Sequence, residues 1–141
     1  MARVLAVAGL VASGKTTLVA RLQDELEWDC LSIDSERAGG GDWKTLLARL
    51  DYARKPTIVE SVLLARAYEQ SLLAHDTCMI RTVCSHAARM ARLNKRDGAV
   101  YDMAYEPTYR WRPLWTVDTT HPTSAETVVA LVSWARGGRK D

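Results

Sequence analysis

The apolar residues of the chain form short runs that alternate with longer stretches in which apolar positions recur every three or four residues. The short runs have strand length, and the longer stretches have the spacing of helices. The predicted strands are Arg3–Val7, Cys30–Ile33, Thr57–Val62, Cys78–Val83 and Leu114–Val117. The predicted helices are Lys15–Glu27, Trp43–Arg54, Arg66–His75, His86–Lys95 and Ala125–Arg136. This alternation predicts an α/β fold, a parallel sheet with helices on both faces.

Two stretches do not fit the alternation. Three glycines, Gly39–Gly41, follow the second predicted strand and predict a flexible break. The longer stretch, Asp97–Pro113, has no regular spacing, and loops of this length in a small domain are usually lids or binding loops. Together with the helix before it, this stretch forms a predicted lid over residues 86–113. The last helix is expected to begin at Thr123–Glu126, which has the form of a capping box.

The composition is that of an ordinary globular domain. The chain has 141 residues, of which 48% are hydrophobic and 26% are charged. No apolar run approaches the ~20 residues of a membrane-spanning helix, and the N-terminus shows no cleavable signal. Three cysteines without metal-ligand spacing are predicted to be free thiols. We therefore expect one domain over residues 1–141, located in the cytoplasm and not in a membrane.

The most specific motif lies between the first predicted strand and the first predicted helix. It reads Gly9-Leu-Val-Ala-Ser-Gly14-Lys15-Thr16 and fits G-x-x-x-x-G-K-[ST] at every defined position. Glycines let successive backbone N–H groups point at phosphate oxygens, and the helix adds the positive end of its dipole. Lys15 is predicted to reach the β- and γ-phosphates, and the Thr16 hydroxyl to bind Mg²⁺. The motif predicts a binding loop for ATP and Mg²⁺.

Polar residues follow the next two predicted strands, at the edge where open parallel sheets bind their ligands. Asp34 is predicted to accept the proton of an acceptor hydroxyl, and Arg37 to hold a phosphate of the acceptor. The alternative for this pair is a helix cap and a solvated arginine. Glu60 is predicted to hold Mg²⁺, directly or through water, and to lie beside the acceptor. Its alternative is a paired carboxylate at a strand end.

Positive charge is concentrated in one segment. Seven Arg or Lys and three Asp or Glu lie between Arg81 and Arg112, although the whole chain carries a formal charge of only +2. Arg89, Arg92 and Arg96 share one face of a predicted helix. A solvated basic face would explain this spacing, but phosphoryl transfer also needs mobile cations near the developing charge. Arg92 and Arg96 are therefore predicted to be catalytic.

The stretch that follows is aromatic as well as basic. Stacking on aromatic rings beside cations is how proteins hold single-stranded nucleic acid, whereas the same rings could instead anchor a loop to the core. The residues concerned are Tyr101, Tyr105, Tyr109, Arg110, Trp111, Arg112 and Trp115. After the fifth strand, His121 is predicted to be structural or to lie beside the adenine, because no nucleophile is near it in sequence.

These residues resemble the small P-loop kinases, and specifically the 5′-kinase domain of bacteriophage-type polynucleotide kinases. The shared features are the phosphate loop, Asp34-x-x-Arg37, Glu60, Arg92-Leu-Asn-Lys95-Arg96, Ala99-Val100 and Val117-Asp118-Thr119-Thr120. The resemblance implies a P-loop NTPase three-layer sandwich with strand order 2-3-1-4-5 and an arginine-rich lid. In that family the aspartate is the general base, the following arginine contacts the acceptor's phosphate, and the lid arginines stabilise the transferring phosphate. The chain departs from the family in having Glu60 and the triple glycine.

The predicted activity is transfer of the γ-phosphate of ATP to a hydroxyl of DNA or RNA, either at a 5′ end or on a hydroxymethylated base. A small-molecule kinase acting on nucleosides, sugars or antibiotics would use the same residues without the basic and aromatic stretch. A nucleotide-binding switch is a third hypothesis. The predicted ATP-binding residues are Gly9, Ala12, Ser13, Gly14, Lys15, Thr16, Thr17, Arg92 and His121. The remaining predictions are catalytic Lys15, Asp34, Arg92 and Arg96, acceptor-binding Asp34, Arg37 and Glu60, and metal-binding Thr16 and Glu60.

Overall fold

The computed structural model describes residues 4–9, 13–61, 70–72, 74–97 and 114–137, with only the backbone described for 93–97. The strands are β1 Val4–Ala8, β2 Asp29–Ser32, β3 Thr57–Ser61, β4 Thr77–Val83 and β5 Leu114–Asp118. The helices are α1 Lys15–Leu26, α2 Ile33–Ala38, α3 Trp43–Asp51, α4 His86–Asp97 and α5 Ala125–Ala135. Residues 70–72 are also helical. The rest of the predicted helix Arg66–His75 lies partly outside the described residues, and its last position, His75, is in a turn.

The five strands form one parallel sheet in the order β2-β3-β1-β4-β5. The central strand β1 lies between β3 and β4, so that Ala8 is opposite Ser61 on one side and Arg81 on the other. Crossover connections of this kind bring the carboxyl ends of all strands to one edge, where ligands bind in open sheets. The predicted α/β fold and strand order are confirmed.

Side chains alternate between two hydrophobic cores, one on each face of the sheet. The first core packs α1 and α5 against side chains such as Val7, Ile58 and Ile80. The second core packs α3 against Ala6, Val59 and Met79. The strands are therefore nearly continuous apolar runs and do not alternate apolar with polar residues, as expected for a parallel sheet that is covered on both faces.

The second strand ends earlier than predicted. Ile33, predicted as its last residue, is instead the first residue of α2 and is buried in the second core. The Ser32 hydroxyl accepts a hydrogen bond from the backbone N–H of Ser35, which starts a helix at this point. Asp34 consequently lies in the first turn of a short helix and is not its capping residue.

The predicted break at the triple glycine is present, and it follows the short helix α2 instead of β2 directly. The glycines form a compact turn between α2 and α3, in which Gly40 has a φ of 88° and the N–H of Gly41 donates to the carbonyl of Glu36. A Cβ on Gly41 would lie 2.4 Å from the Thr45 hydroxyl. That hydroxyl belongs to the capping box that Asp42 and Thr45 form at the start of α3.

The last helix begins at Ala125 as predicted, but its capping residue differs from the prediction. The capping residue is Ser124, whose hydroxyl accepts from the N–H of Thr127, so the box does not run from Thr123 to Glu126. Trp134 of this helix meets Trp115 of β5 edge to face, with ring centroids 5.4 Å apart. Of the helices in the described ranges, none has both the length and the apolar character needed to cross a membrane.

Candidate active site

Two glycines of the phosphate loop are required by its geometry. Gly9 follows β1 so closely that a Cβ there would lie 2.0 Å from the Thr82 hydroxyl and 2.5 Å from the Ser13 hydroxyl. Gly14 has a φ of 80°, a left-handed conformation that favours glycine, and it packs against Thr119. It precedes α1 and has no side chain with which to cap the helix. The first N–H groups of α1 therefore suit an anionic ligand.

Hydroxyl groups on β4 and after β5 hold the described part of the loop in place. The Ser13 and Thr82 hydroxyls share a hydrogen bond of 2.8 Å. The Thr119 hydroxyl donates to the backbone carbonyl of Ser13 and also lies 3.2 Å from the carbonyl of Val83. The sequence named Thr119 only as part of a family motif and did not single out Thr82, because nothing in a strand-end threonine identifies its partner. Of the predicted nucleotide residues in this loop, Ala12 lies outside the described residues.

The residues that follow Gly14 provide a cation and an oxygen-rich site. Lys15 is buried, with 7% of its surface exposed, whereas Thr16 and Thr17 are exposed at the start of α1. The Thr16 hydroxyl donates to a carboxylate oxygen of Glu60 across 2.7 Å. Mg²⁺ prefers oxygen ligands and usually keeps several waters, so a hydroxyl and a carboxylate in contact fit this ion. The structure thus brings together the two predicted metal-binding residues.

Helix α4 is joined to the loop that follows β5. The Arg92 guanidinium donates from Nη2 to the backbone carbonyl of Thr119, the residue whose hydroxyl contacts the phosphate loop. At the start of the helix the Ser85 hydroxyl accepts from the N–H of Ala88, and the N–H of Ser85 donates to the Thr120 hydroxyl. Arg92 is thereby placed near the phosphate loop.

The other two arginines of α4 differ in how much of each residue the structure describes. Arg89 is buried, with 5% of its surface exposed, so the alternative of a fully solvated basic face does not hold for it. The Arg96 backbone belongs to α4, but its side chain lies outside the described residues. So do 98–113, the greater part of the predicted lid, and the aromatic residues from Tyr101 to Trp111. Their predicted roles remain predictions.

Trp115 is the one residue of the aromatic set within the described ranges, and it has a packing role. It packs against the first core and contacts Trp134. These contacts agree with the alternative in which an aromatic ring anchors its segment to the core, and stacking on a base stays a prediction.

Two of the three predicted acceptor-binding residues lie on α2. Asp34 and Arg37 are both exposed, and Arg37 lies in the last turn of the helix. Their neighbour Glu36 forms an ion pair, in which its carboxylate accepts a hydrogen bond from Arg49 Nε across 3.0 Å. The side chains of Asp34 and Arg37 thus face water at the edge of the sheet that carries the phosphate loop.

The loop after β5 places His121 in solvent. Hydrogen bonds from the side chain and backbone of Thr120, with a smaller contribution from His121, hold the pKa of Asp118 below its usual range. A nucleotide contact of His121 stays a prediction. Its predicted non-catalytic role also stays a prediction.

The three cysteines, Cys30, Cys78 and Cys84, form no disulfide bonds, as predicted, but only Cys78 is fully buried. Burial, with a smaller contribution from Glu60, raises the pKa of Cys30 to about 11. A thiol with such a pKa is protonated at neutral pH and is a poor nucleophile. Among the described residues, no group of three or more His, Cys, Asp or Glu side chains could hold a metal ion.

No family model and no curated protein matches the sequence. Solved structures share its fold over nearly the whole chain. A candidate kinase from Chloroflexus aurantiacus has 25% identity and a TM-score of 0.69, and the match covers 94% of this chain and 93% of the other. A sugar kinase from Janibacter has 19% identity, a TM-score of 0.66 and the same coverage. A gluconokinase from Sinorhizobium meliloti has 17% identity and a TM-score of 0.60, covering 93% of this chain and 87% of its own.

These structures agree with the predicted fold and with the prediction of a phosphotransferase. The chain has the α/β fold of P-loop kinases, with a phosphate loop in the position that the fold requires. The finer resemblance to phage polynucleotide kinases finds no support in them, because the solved structures with a stated substrate act on small molecules.

Proposed function

We propose that this protein is an ATP- and Mg²⁺-dependent kinase that phosphorylates a hydroxyl of a small molecule. The observation that carries the proposal is the hydrogen bond between Thr16 and Glu60 at the start of α1, beside a phosphate loop held by its own hydroxyl contacts. The exposed pair Asp34 and Arg37 supplies an acceptor side at the same edge of the sheet.

In this proposal each residue has one task. Backbone N–H groups of the phosphate loop and the Lys15 ammonium bind the phosphates of ATP. Thr16 and Glu60 hold Mg²⁺, which when bound neutralises charge on the β- and γ-phosphates. The acceptor oxygen forms a bond to the γ-phosphorus as the bond to the bridging oxygen of ADP breaks. Asp34 accepts the proton of the acceptor hydroxyl and returns it to solvent, and Arg92 stabilises the transferring phosphate.

Two observations favour a small acceptor over nucleic acid. The solved structures with the same fold include a sugar kinase and a gluconokinase. Trp115, one of the aromatic residues considered for base stacking, is partly buried and packs against the first core. The other aromatic residues considered for a nucleic-acid acceptor lie outside the described residues.

The test is a transfer assay with labelled ATP and Mg²⁺ over sugars, sugar acids, nucleosides and oligonucleotides, each at 50 and 200 mM salt. We expect transfer to at least one small molecule. For a single-stranded acceptor, affinity falls with salt at a log–log slope of about −0.7 for each phosphate contact. Transfer restricted to oligonucleotides, with a steep salt dependence, would favour the polynucleotide kinase. ATP binding without transfer to any acceptor would favour the nucleotide switch.

A further inference from the structure

Arg81 is an arginine in the interior of the sheet, and the alternation of β4 fixes the face on which it lies. Cys78 and Ile80 belong to the first core, and Met79 belongs to the second. Arg81 therefore projects from the face of the second core, opposite to the face covered by α1. This is also the face on which α2 and α3 pack, because Ile33 of α2 is part of the second core.

The position is adjacent to the phosphate loop. Arg81 pairs in register with Ala8, the residue that precedes Gly9. Adjacent strands are about 4.8 Å apart, so the backbone of Arg81 is one strand spacing from the start of the loop. A long guanidinium side chain at this place can reach groups that lie above Ala8 on the face away from α1.

Arg81 has no counter-charge in the part of the chain that the structure describes. Its Nε atom is buried and has no hydrogen-bond partner there, although the side chain as a whole is half-buried. The carboxylate of Asp118, on the same face of the neighbouring strand, accepts from Thr120. A cation that is withdrawn from water without hydrogen bonds is costly, and a buried donor usually has a partner.

The neighbours of Arg81 along this row of the sheet are exposed or small. Thr116, its register partner on β5, is exposed to solvent. On the other side the row continues with two small residues, Ala8 and Ser61. The Arg81 side chain is only half-buried, so part of it is accessible to a ligand.

We propose that Arg81 binds an oxyanion of the phosphate acceptor, either a carboxylate or a phosphate. This inference rests on the proposed kinase function and narrows its substrate class to anionic alcohols, such as hydroxy acids, sugar acids or sugar monophosphates. The planar guanidinium binds both kinds of oxyanion through two parallel N–H···O bonds. A carboxylate and a phosphate are distinguished by the choice of acceptor in the test.

The experiment compares matched acceptors in the wild type and three variants. The acceptors are neutral sugars, the corresponding sugar acids and the corresponding sugar monophosphates. The variants are Arg81→Gln, Arg81→Lys and the control Arg54→Gln, which changes an exposed arginine in the loop after α3. Two quantities are measured: kcat/KM for transfer, and acceptor affinity by calorimetry in the presence of Mg²⁺ and ADP. The calorimetric measurement does not depend on transfer.

We expect the wild type to prefer one class of anionic acceptor over its neutral counterpart by at least about tenfold. Arg81→Gln should lower affinity and kcat/KM for that acceptor by about 10- to 100-fold, the usual effect of losing a hydrogen bond to a charged group. Affinity for ATP and kcat/KM for neutral acceptors should stay within about twofold. Arg81→Lys keeps the positive charge but cannot form two parallel hydrogen bonds, so its affinity and kcat/KM should lie between those of the wild type and Arg81→Gln. Arg54→Gln should match the wild type.

Several outcomes would overturn the assignment. They are equal use of neutral and anionic acceptors by the wild type, no anion bound by the wild type, unchanged anion affinity in Arg81→Gln, and a loss of ATP affinity in that variant. If Arg81→Gln does not fold, Arg81→Lys and the wild-type preference decide. Anion binding that depends on Arg81 without any transfer would refute the kinase function and leave the anion site in place.

Discussion

The two halves of the site are built differently. On the proposed nucleotide side, Ser13, Lys15 and Thr119 are all less than 8% exposed. The Thr119 hydroxyl donates to the backbone carbonyl of Ser13, and the Thr82 hydroxyl shares a hydrogen bond with the Ser13 hydroxyl. On the acceptor side, Asp34 and Arg37 are exposed on a six-residue helix. One half is held by the fold before any ligand arrives, and the other half presents its polar groups to water.

This difference indicates where specificity lies. Preorganised donors and dipoles stabilise charge without reorganisation at the moment of reaction, so a fixed loop suits the phosphates common to all ATP-dependent kinases. The exposed residues on the acceptor side are expected to take fixed positions only when the acceptor binds. Changes on the nucleotide side should therefore affect ATP, and changes on the acceptor side should affect turnover and acceptor choice.

The largest effect is expected from Lys15→Ala. Loss of a buried cation that is proposed to contact the transferring phosphate should lower kcat by about 10²–10³-fold. ATP affinity should fall by a further tenfold or more, because a charged hydrogen bond is lost. The fold should remain intact by circular dichroism, and Lys44→Ala, at an exposed position of α3, serves as the control. Wild-type turnover in Lys15→Ala would remove the basis for a phosphate-loop enzyme.

The next effect belongs to the acceptor side. Asp34→Asn removes a base without changing shape and should lower kcat by about 10²–10⁴-fold, the usual contribution of general-base catalysis. ATP affinity should hardly change. Steady-state kinetics and nucleotide titration of the same preparation check both, with Asp24→Asn on the exposed side of α1 as the control. A parallel fall in ATP affinity and kcat would assign Asp34 to the nucleotide or its metal.

A smaller effect is expected from Thr119→Val, which tests the hydroxyl that positions the loop. The change leaves the carbonyl of Ser13 without this donor, and an unsatisfied buried acceptor costs about 1–3 kcal/mol. We expect ATP affinity to fall by about tenfold while KM for the acceptor stays near its wild-type value. Thr119→Ser keeps the hydroxyl and should restore ATP affinity. Full ATP affinity in Thr119→Val would contradict the role of the hydroxyl, and a loss in Thr119→Ser as large as in Thr119→Val would show that the hydroxyl alone does not account for the effect.

Much of this architecture could be predicted from the sequence. The parallel sheet could be predicted from unbroken apolar runs between helical stretches. The phosphate loop could be predicted from the spacing of its glycines, because the backbone requires glycine at those positions. The structure shows this requirement in the close approach of Gly9 to Thr82 and the positive φ of Gly14. Features that are determined by residues close together in the sequence could therefore be predicted.

Features that depend on contacts between distant segments could not be predicted. Thr119 meets Ser13 across 106 positions of sequence, and Thr82 meets it across 69. The early end of β2 depends on whether Ser32 or Asp34 caps the next helix, and both residue types favour that position. The class of acceptor could not be predicted either, because a basic and aromatic segment is compatible both with nucleic-acid binding and with packing against the core.

The most direct test of the account is the ATP dissociation constant of the double variant Asp34→Asn/Arg37→Gln, measured with Mg²⁺ and without acceptor. If the nucleotide side is complete by itself, the constant should stay within about twofold of the wild-type value, because independent sites add without coupling. Under the same conditions Lys15→Ala should bind ATP at least about tenfold more weakly. A tenfold loss of ATP affinity in the double variant would contradict the division of the site into a preformed nucleotide half and an open acceptor half.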